Sequence, residues 1–465
     1  MKKNIILDYE QAKDKLKKIE EKGIIKREPN LAVTEYGLPI EHFTTGEGKK
    51  DIVITGATHG SEIITTDFVI KLMESINPDD TVWKEVSQEF KIHFIPILNP
   101  EGYVISTSAV RKMIPREMPQ EEAEKICKKY YMEYREDDVH PEEQKRYQEM
   151  FKSIDYTCIP DEYKELREAV KNIYEKYPDL PKGSLQIWSS NGNGIDIQAN
   201  SEFNPKINEI NEGKKVFMKA KRFSNIDISH PGPINCPFDK EKGFKYEIET
   251  AAISDLLDDL SKQGKLFLYL NYHSTGGLIF QRPAIPPESL QIPGEELTRN
   301  ERVNFILSEA YSSRTYKAKG RDTDGKDKRE KSRYRVMTGQ ELATSTNDIF
   351  RLKYPQDLLI ELSGMGGNPI APYGDINGNY TNLVESNLDA TKFTFHVASA
   401  LKNLCEKFSK RVQQFDKNAD YETVTETEAM IFDEFSKKIM KLKPTKEAFE
   451  TELEEGIIND DGEAR

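Results

Sequence analysis

Four apolar runs stand out from an otherwise polar chain: "DIVIT" (51–55), "FKIHFIPIL" (90–98), "LFLYLNY" (266–272) and "DLLIEL" (357–362). Each is nearly continuous and short, the pattern of a strand buried on both faces rather than of an amphipathic helix. Between the first two lies "EIITTDFVIKLMESI", where Ile64, Phe68, Leu72 and Ile76 recur every four positions. That period predicts a helix, and with its neighbours a strand–helix–strand unit. The expected fold class is α/β, a sheet with helices on both faces.

Two stretches look added to this core. Residues 112–183 contain "EEAEKICKKYYMEYREDD" and "DEYKELREAVKNIYEKYPDLPKG", charged and poor in strand signals, and read as a helical insertion. Solvated packing and a lid over a site are both open roles for it. Toward the carboxyl end, Phe393, Val397, Leu401, Leu404 and Phe408 keep helical spacing. A second amphipathic segment, "TEAMIFDEFSKKIMKL", and a polar tail follow. The expected organisation is a main domain over 1–400 interrupted by the insertion, then a helical extension over 401–465.

The 465 residues are 37% hydrophobic, ample for a sizeable core. The formal net charge of −13 is dispersed rather than blocked, which argues against nucleic acid or anionic lipid as the main partner. The start, "MKKNIILDYEQ", has an apolar patch too short for a signal peptide, and no run reaches the roughly 20 apolar residues of a membrane span. Cys127, Cys158, Cys236 and Cys405 form no CxxC pair and no dense framework, so a cytoplasmic protein with reduced thiols is expected. Neither GxSxG nor GxxxxGK[ST] occurs, which removes the commonest serine-hydrolase and P-loop readings.

Only seven histidines are present, and one opens the chemical question. In "GATHGSE" (56–62), His59 follows the strand "DIVIT" and Glu62 comes three residues later, a spacing that lets both side chains reach one point. By itself such a pair is more often a cap or a packing contact. His273 closes "LFLYLNYHSTGG", where an apolar strand turns sharply, and two imidazoles with a carboxylate make the three-ligand set of catalytic zinc. Zinc there would lower the pKa of a bound water to about 7. Glu361 sits near the end of "DLLIEL", where a carboxylate costs several kcal/mol unless it has a charged partner or a task such as general base. His59, His273 and Glu361 all fall at strand carboxyl ends, where α/β enzymes gather ligands.

With these motifs in order, the chain resembles the zinc carboxypeptidases of the carboxypeptidase A type from about residue 36 to 400, outside the insertion. Supporting segments are "ILNPEGY" (97–103), "GIDIQAN" (194–200), "HPGPINCPFDKEKGFKYEIET" (230–250) and "STNDIF" (345–350). The resemblance implies a twisted mixed sheet and one Zn2+ per chain on His59, Glu62 and His273. It makes Glu361 the general base and Arg111 the cation that polarises the scissile carbonyl. It also places Asp348 at the base of the side-chain pocket and Tyr334 at the family's mobile tyrosine.

One departure changes the expected substrate. Carboxyl-terminal trimmers of this family carry an Asn-Arg pair that holds the terminal carboxylate, whereas "DIQAN" has Gln198 and Ala199 there. Alanine cannot make the bidentate contact that an arginine makes. Either Arg282, Arg335 or Arg351 takes over, or the substrate does not end in a free carboxylate. The expectation is a zinc-dependent hydrolase of peptide bonds acting on a peptide or peptide-like partner. Two alternatives stay open: an amidase or deacylase on the same scaffold, and a silent peptide- or glycan-binding module. The donor set also accepts manganese, cobalt or nickel.

Overall fold

A computed structural model describes residues 7–119, 153–176, 185–198, 247–274, 277–281, 299–315, 334–337, 356–362, 380–415 and 426–440, with isolated positions 122, 123, 126, 178 and 200. Its centre is an eight-stranded mixed sheet. Four long strands form the middle: β5 (Lys50–Thr55), β6 (Phe90–Ile95), β7 (Leu266–Ser274) and β10 (Asp357–Leu362). They lie parallel in the order β6-β5-β7-β10. β1 (Lys26–Arg27) and β4 (Phe43–Thr45) extend one edge, and β8 (Leu278–Gln281) and β9 (Arg335–Met337) the other. β2 (Ala32–Val33) and β3 (Pro39–Ile40) form a separate two-stranded ribbon.

The four expected strands are present. "FKIHFIPIL" ends as a strand at Ile95 because Pro96 has no N–H to give the ladder. The expected helix is α2 (Ile63–Ser75), with α1 (Tyr9–Glu20), α3 (Thr81–Glu89) and α4 (Pro100–Met113) on the same side. Alternate strand residues divide the core. Ile52, Ile54, Leu268, Leu270 and Ile360 join the larger apolar cluster with α2 and α4. Val53 and Tyr269 face the opposite way, against Ile253, Leu257 and Leu260 of α6 (Ile248–Lys262). This second face turns polar toward the carboxyl ends of the strands, at Thr55, Asn271 and His273, and the site opens there.

Two expectations about domain organisation change. Within 112–183, α5 (Lys164–Lys176) is the described helix, and its Leu166, Val170 and Ile173 are buried in the main core. That part packs as structure rather than standing off as a lid; "EEAEKICKKYYMEYREDD" lies almost entirely outside the described residues. The boundary at 400/401 falls inside one helix, α8 (Tyr380–Phe415). α9 (Glu426–Met440) is joined to α7 (Arg299–Ser312) through a buried pair, Arg299 Nη2 to Glu428 Oε2 at 3.4 Å. Cys405 and Phe432 belong to the main core cluster, so the carboxyl-terminal helices complete it. No helix among the described residues is long and apolar enough to cross a membrane, and Cys158 and Cys405 are free thiols.

Candidate metal centre

The loop after β5 is held under strain. Ala57 has a φ of 46°, which costs a non-glycine residue about 1–2 kcal/mol. Three bonds pin it: Ala57 N donates to Thr65 Oγ1 at 2.7 Å, Asn99 N to Ala57 O at 3.0 Å, and Leu98 N to Gly56 O at 3.0 Å. Gly60 lies against Gly102 so closely that a Cβ on Gly60 would sit 2.0 Å from Gly102 C. The "NPEGY" motif has a structural task here. Asn99 caps α4 by accepting from Gly102 N at 2.8 Å, Pro100 enters the first turn, and Gly102 has no Cβ to strike Ser190 O.

That loop and β7 bring three donors together. His59 Nδ1 lies 2.9 Å from Glu62 Oε1, and His273 Nδ1 lies 3.1 Å from Glu62 Oε2. The imidazoles meet edge to face at 4.8 Å between centroids. Glu62 is the N-cap of α2 but caps nothing with its side chain, so its carboxylate, at the positive end of the helix, is left for the histidines. Ser274 N donates to Glu62 Oε2 at 3.1 Å and fixes it from β7. Behind His59, Asp196 Oδ1 is 3.3 Å from Nε2, the placement by which a carboxylate sets a ligand's tautomer and orientation.

The three groups perturb one another strongly. Burial pushes the His59 imidazole down, but Glu62 and Asp196 outweigh it and hold it well above the ordinary histidine value. Burial would raise Glu62, yet His59 and His273 outweigh it and hold the carboxyl at about 2. Burial dominates at His273 and lowers it despite Glu62. Among the described residues, His59, Glu62 and His273 are the group of three whose donor atoms all lie within 4.8 Å of one another. The buried Nε2 atoms of His59 and His273 make no hydrogen bond among those residues, and Asp196 meets His59 Nε2 as an ion-pair neighbour. Two imidazoles and one carboxylate at this separation fit a zinc ion.

Glu361 joins them through the sheet. It pairs in parallel register with His273, so both side chains leave the same face one strand spacing apart, about 5 Å. It is partly exposed, unlike the strand around it, and so has access to solvent.

Other expected site residues are placed differently. Arg111 points toward the start of α1: its Nε donates to Asp8 Oδ2 at 2.9 Å and its Nη2 to Gln11 Oε1 at 2.7 Å. It sits nine residues along α4 from Gly102, the point where α4 meets the metal loop, about 14 Å at helical rise. Tyr334 is also set away from the metal donors. It is 1% exposed, and its hydroxyl accepts from Asn387 Nδ2 at 3.0 Å, so it is a core residue and not a pocket wall. Gln198 is near the site but buried, its Oε1 accepting from Asn271 Nδ2 at 3.4 Å. Asp348, Ala199, Arg282 and Arg351, and the side chain of Arg335, lie outside the described residues. Asp196 and Asn271 were not singled out by their sequence. The signals were there: Asp196 opens "DIQAN", and Asn271 is the polar break in "LFLYLNY".

Fold and site together define an α/β protein with a His-Glu-His centre at the carboxyl edge of a mixed sheet. The model of the zinc carboxypeptidase family matches residues 25–377, well over half the chain, and the protein belongs to that family of zinc-dependent peptidases. No curated protein matches the chain. Similar solved structures include carboxypeptidase A from Helicoverpa armigera, 13% identical over 85% of this chain and 74% of that one, TM-score 0.44. Thrombin activatable fibrinolysis inhibitor is 14% identical over 85% and 73%, TM-score 0.44. A metallo-carboxypeptidase from Burkholderia cenocepacia is 11% identical over 86% and 70%, TM-score 0.38.

Proposed function

We propose that the protein is a zinc-dependent hydrolase of peptide bonds in which His59, Glu62 and His273 hold one Zn2+ and Glu361 is the general base. The observation that carries this reading is the convergence of both Nδ1 atoms on the two oxygens of Glu62, with Glu361 in register beside His273. Bound zinc would supply Lewis acidity and lower the pKa of a coordinated water to about 7. The chain's own groups do the rest. Glu361 takes a proton from the attacking water at a carboxylate oxygen and delivers it to the departing amine nitrogen. Ser274 N–H and the two imidazoles hold Glu62 in place, and Asp196 holds His59. The scheme is built without Arg111, whose Nε donates to Asp8 Oδ2.

A second reading, an amidase that accepts substrates without a terminal carboxylate, is favoured by one observation: Gln198 is turned into the protein and bonded to Asn271. Metal analysis of the purified protein, with hydrolysis of peptides bearing free and amidated carboxyl ends, tests both. One zinc and cleavage of either peptide supports the hydrolase; cleavage of the amidated peptide supports the second reading. A protein that takes up no zinc and turns over neither peptide would overturn both in favour of a binding module.

A further inference from the structure

A closed circuit of contacts runs behind the metal site. Thr58 Oγ1 donates to Asn271 Oδ1 at 3.0 Å, and Asn271 Nδ2 donates to Gln198 Oε1 at 3.4 Å. Gln198 N donates to Asp196 Oδ1 at 2.9 Å, and that oxygen lies 3.3 Å from His59 Nε2. His59 is bonded in sequence to Thr58, so the circuit closes around its imidazole. Every side chain in it other than His59 is at least nine-tenths buried: Thr58, Asn271 and Gln198 are each 3% exposed and Asp196 is 6%. Thr55 Oγ1, from β5, adds a second bond to Asn271 Oδ1 at 2.9 Å. Asn271 is therefore a junction of three pieces of chain: the end of β5 with its loop, the 196–198 turn, and β7, whose His273 lies two residues on, on the same face.

We propose that Asn271 and Gln198 are a positioning pair that fixes His59 for the metal, and that position 198 is thereby withdrawn from reading the substrate's carboxyl end. This rests on the zinc hydrolase reading for its turnover measurements and on metal binding alone for the rest. The physical reason is geometric: a ligand held from one side swings about its χ angles, whereas Asp196 can hold Nε2 only if the turn bearing it is fixed, and Gln198 fixes that turn to β7. Groups that orient a metal ligand in this way are worth about 10–100-fold in affinity or activity.

Zinc affinity of the full chain, by competition with a chromogenic chelator, and turnover of matched free-ended and amidated peptides together test the pair. Gln198→Met keeps the length and loses the acceptor. It is expected to weaken zinc about tenfold and to lower kcat with KM unchanged. The preference between the two peptides should stay within twofold. Asn271→Leu should weaken zinc at least as much, and the double variant no more than Asn271→Leu alone, because both cut one path. Thr58→Val, a smaller change in the same circuit, should weaken zinc severalfold and serves if the larger variants fail to fold. Zinc affinity at the parental level in Gln198→Met, additive losses in the double variant, or a tenfold selective loss on the free-ended peptide would each overturn the proposal. Zinc losses of the expected pattern in a chain that cleaves neither peptide would uphold the pair and sink the hydrolase.

Discussion

Two places along one sheet gather two imidazoles and a carboxylate, with opposite consequences. At the carboxyl edge, His59 and His273 both aim Nδ1 at Glu62, and their rings cross at 71°. Toward the other end, His42 Nε2 meets His93 Nδ1 at 2.9 Å and His93 Nε2 meets Asp51 Oδ1 at 2.8 Å, with the rings stacked at 13°. The second trio is a chain in which His93 spends both nitrogens on its neighbours, leaving no common point for an ion. His93 and Asp51 are on strands β6 and β5, and His42 lies just before β4, so backbone ladders hold them in series. The first trio is set by a strained loop, a helix N-terminus and a strand end, whose directions converge. Composition does not separate a metal centre from a structural relay; backbone direction does.

The sharpest test of that contrast is a pair of alanine substitutions. His273→Ala is expected to lower zinc affinity by more than about 100-fold, beyond the range for merely orienting groups. His93→Ala should keep one zinc per chain but cost about 1–3 kcal/mol of stability, because Asp51 loses its buried partner. Metal analysis and denaturant unfolding of both variants read the difference. Zinc lost in His93→Ala, or kept in His273→Ala, breaks the comparison.

Acid should act next most strongly, and through the relay. Burial, with His93 beside it, pushes His42 down to about 4. A histidine whose folded value is depressed contributes stability that is present above its unfolded value near 6.5 and is lost as pH falls toward 4. That amounts to about 3 kcal/mol for this group. His42→Gln, which keeps a donor for His93 and does not titrate, should flatten the unfolding free energy over that window relative to the parent. Curves that stay parallel from pH 7 to 4 would remove His42 as the cause.

How far the sequence reaches follows the same division. The four long strands and α2 were legible because their apolar periods are set by burial on two faces. His59, Glu62, His273 and Glu361 were legible because each sits where such a period stops. Arg111 shows what motif order leaves open: it locates the helix that carries "NPEGY", but a shift of a few positions along that helix turns a side chain from the cleft to Asp8. Tyr334 is a similar case, since whether a tyrosine lines a pocket or bonds Asn387 depends on α8, whose docking no local pattern encodes. The two- and three-residue strands β1–β4 carry too few positions for any period. Gln198 was read as part of a lost substrate contact, and its bond to Asn271 across 73 residues leaves no mark in the local sequence.

Smaller effects test the placements of Arg111 and Tyr334. Arg111→Met should cost about 1.5 kcal/mol of stability, softened by Arg116 remaining on Asp8, with turnover within twofold of the parent. Tyr334→Phe, which removes one buried hydroxyl, should cost about 1 kcal/mol and leave kcat and KM unchanged. A large fall in kcat in either variant, with normal stability, would return that residue to the site.

The central claim is that Glu361, aligned with His273 by the sheet, moves the proton at a metal centre built by His59, Glu62 and His273. Turnover of Glu361→Gln, with zinc measured in the same sample, tests it most directly. The expected result is one zinc per chain and a fall in kcat of about 10²–10⁴-fold. Full turnover by the zinc-loaded variant would contradict it.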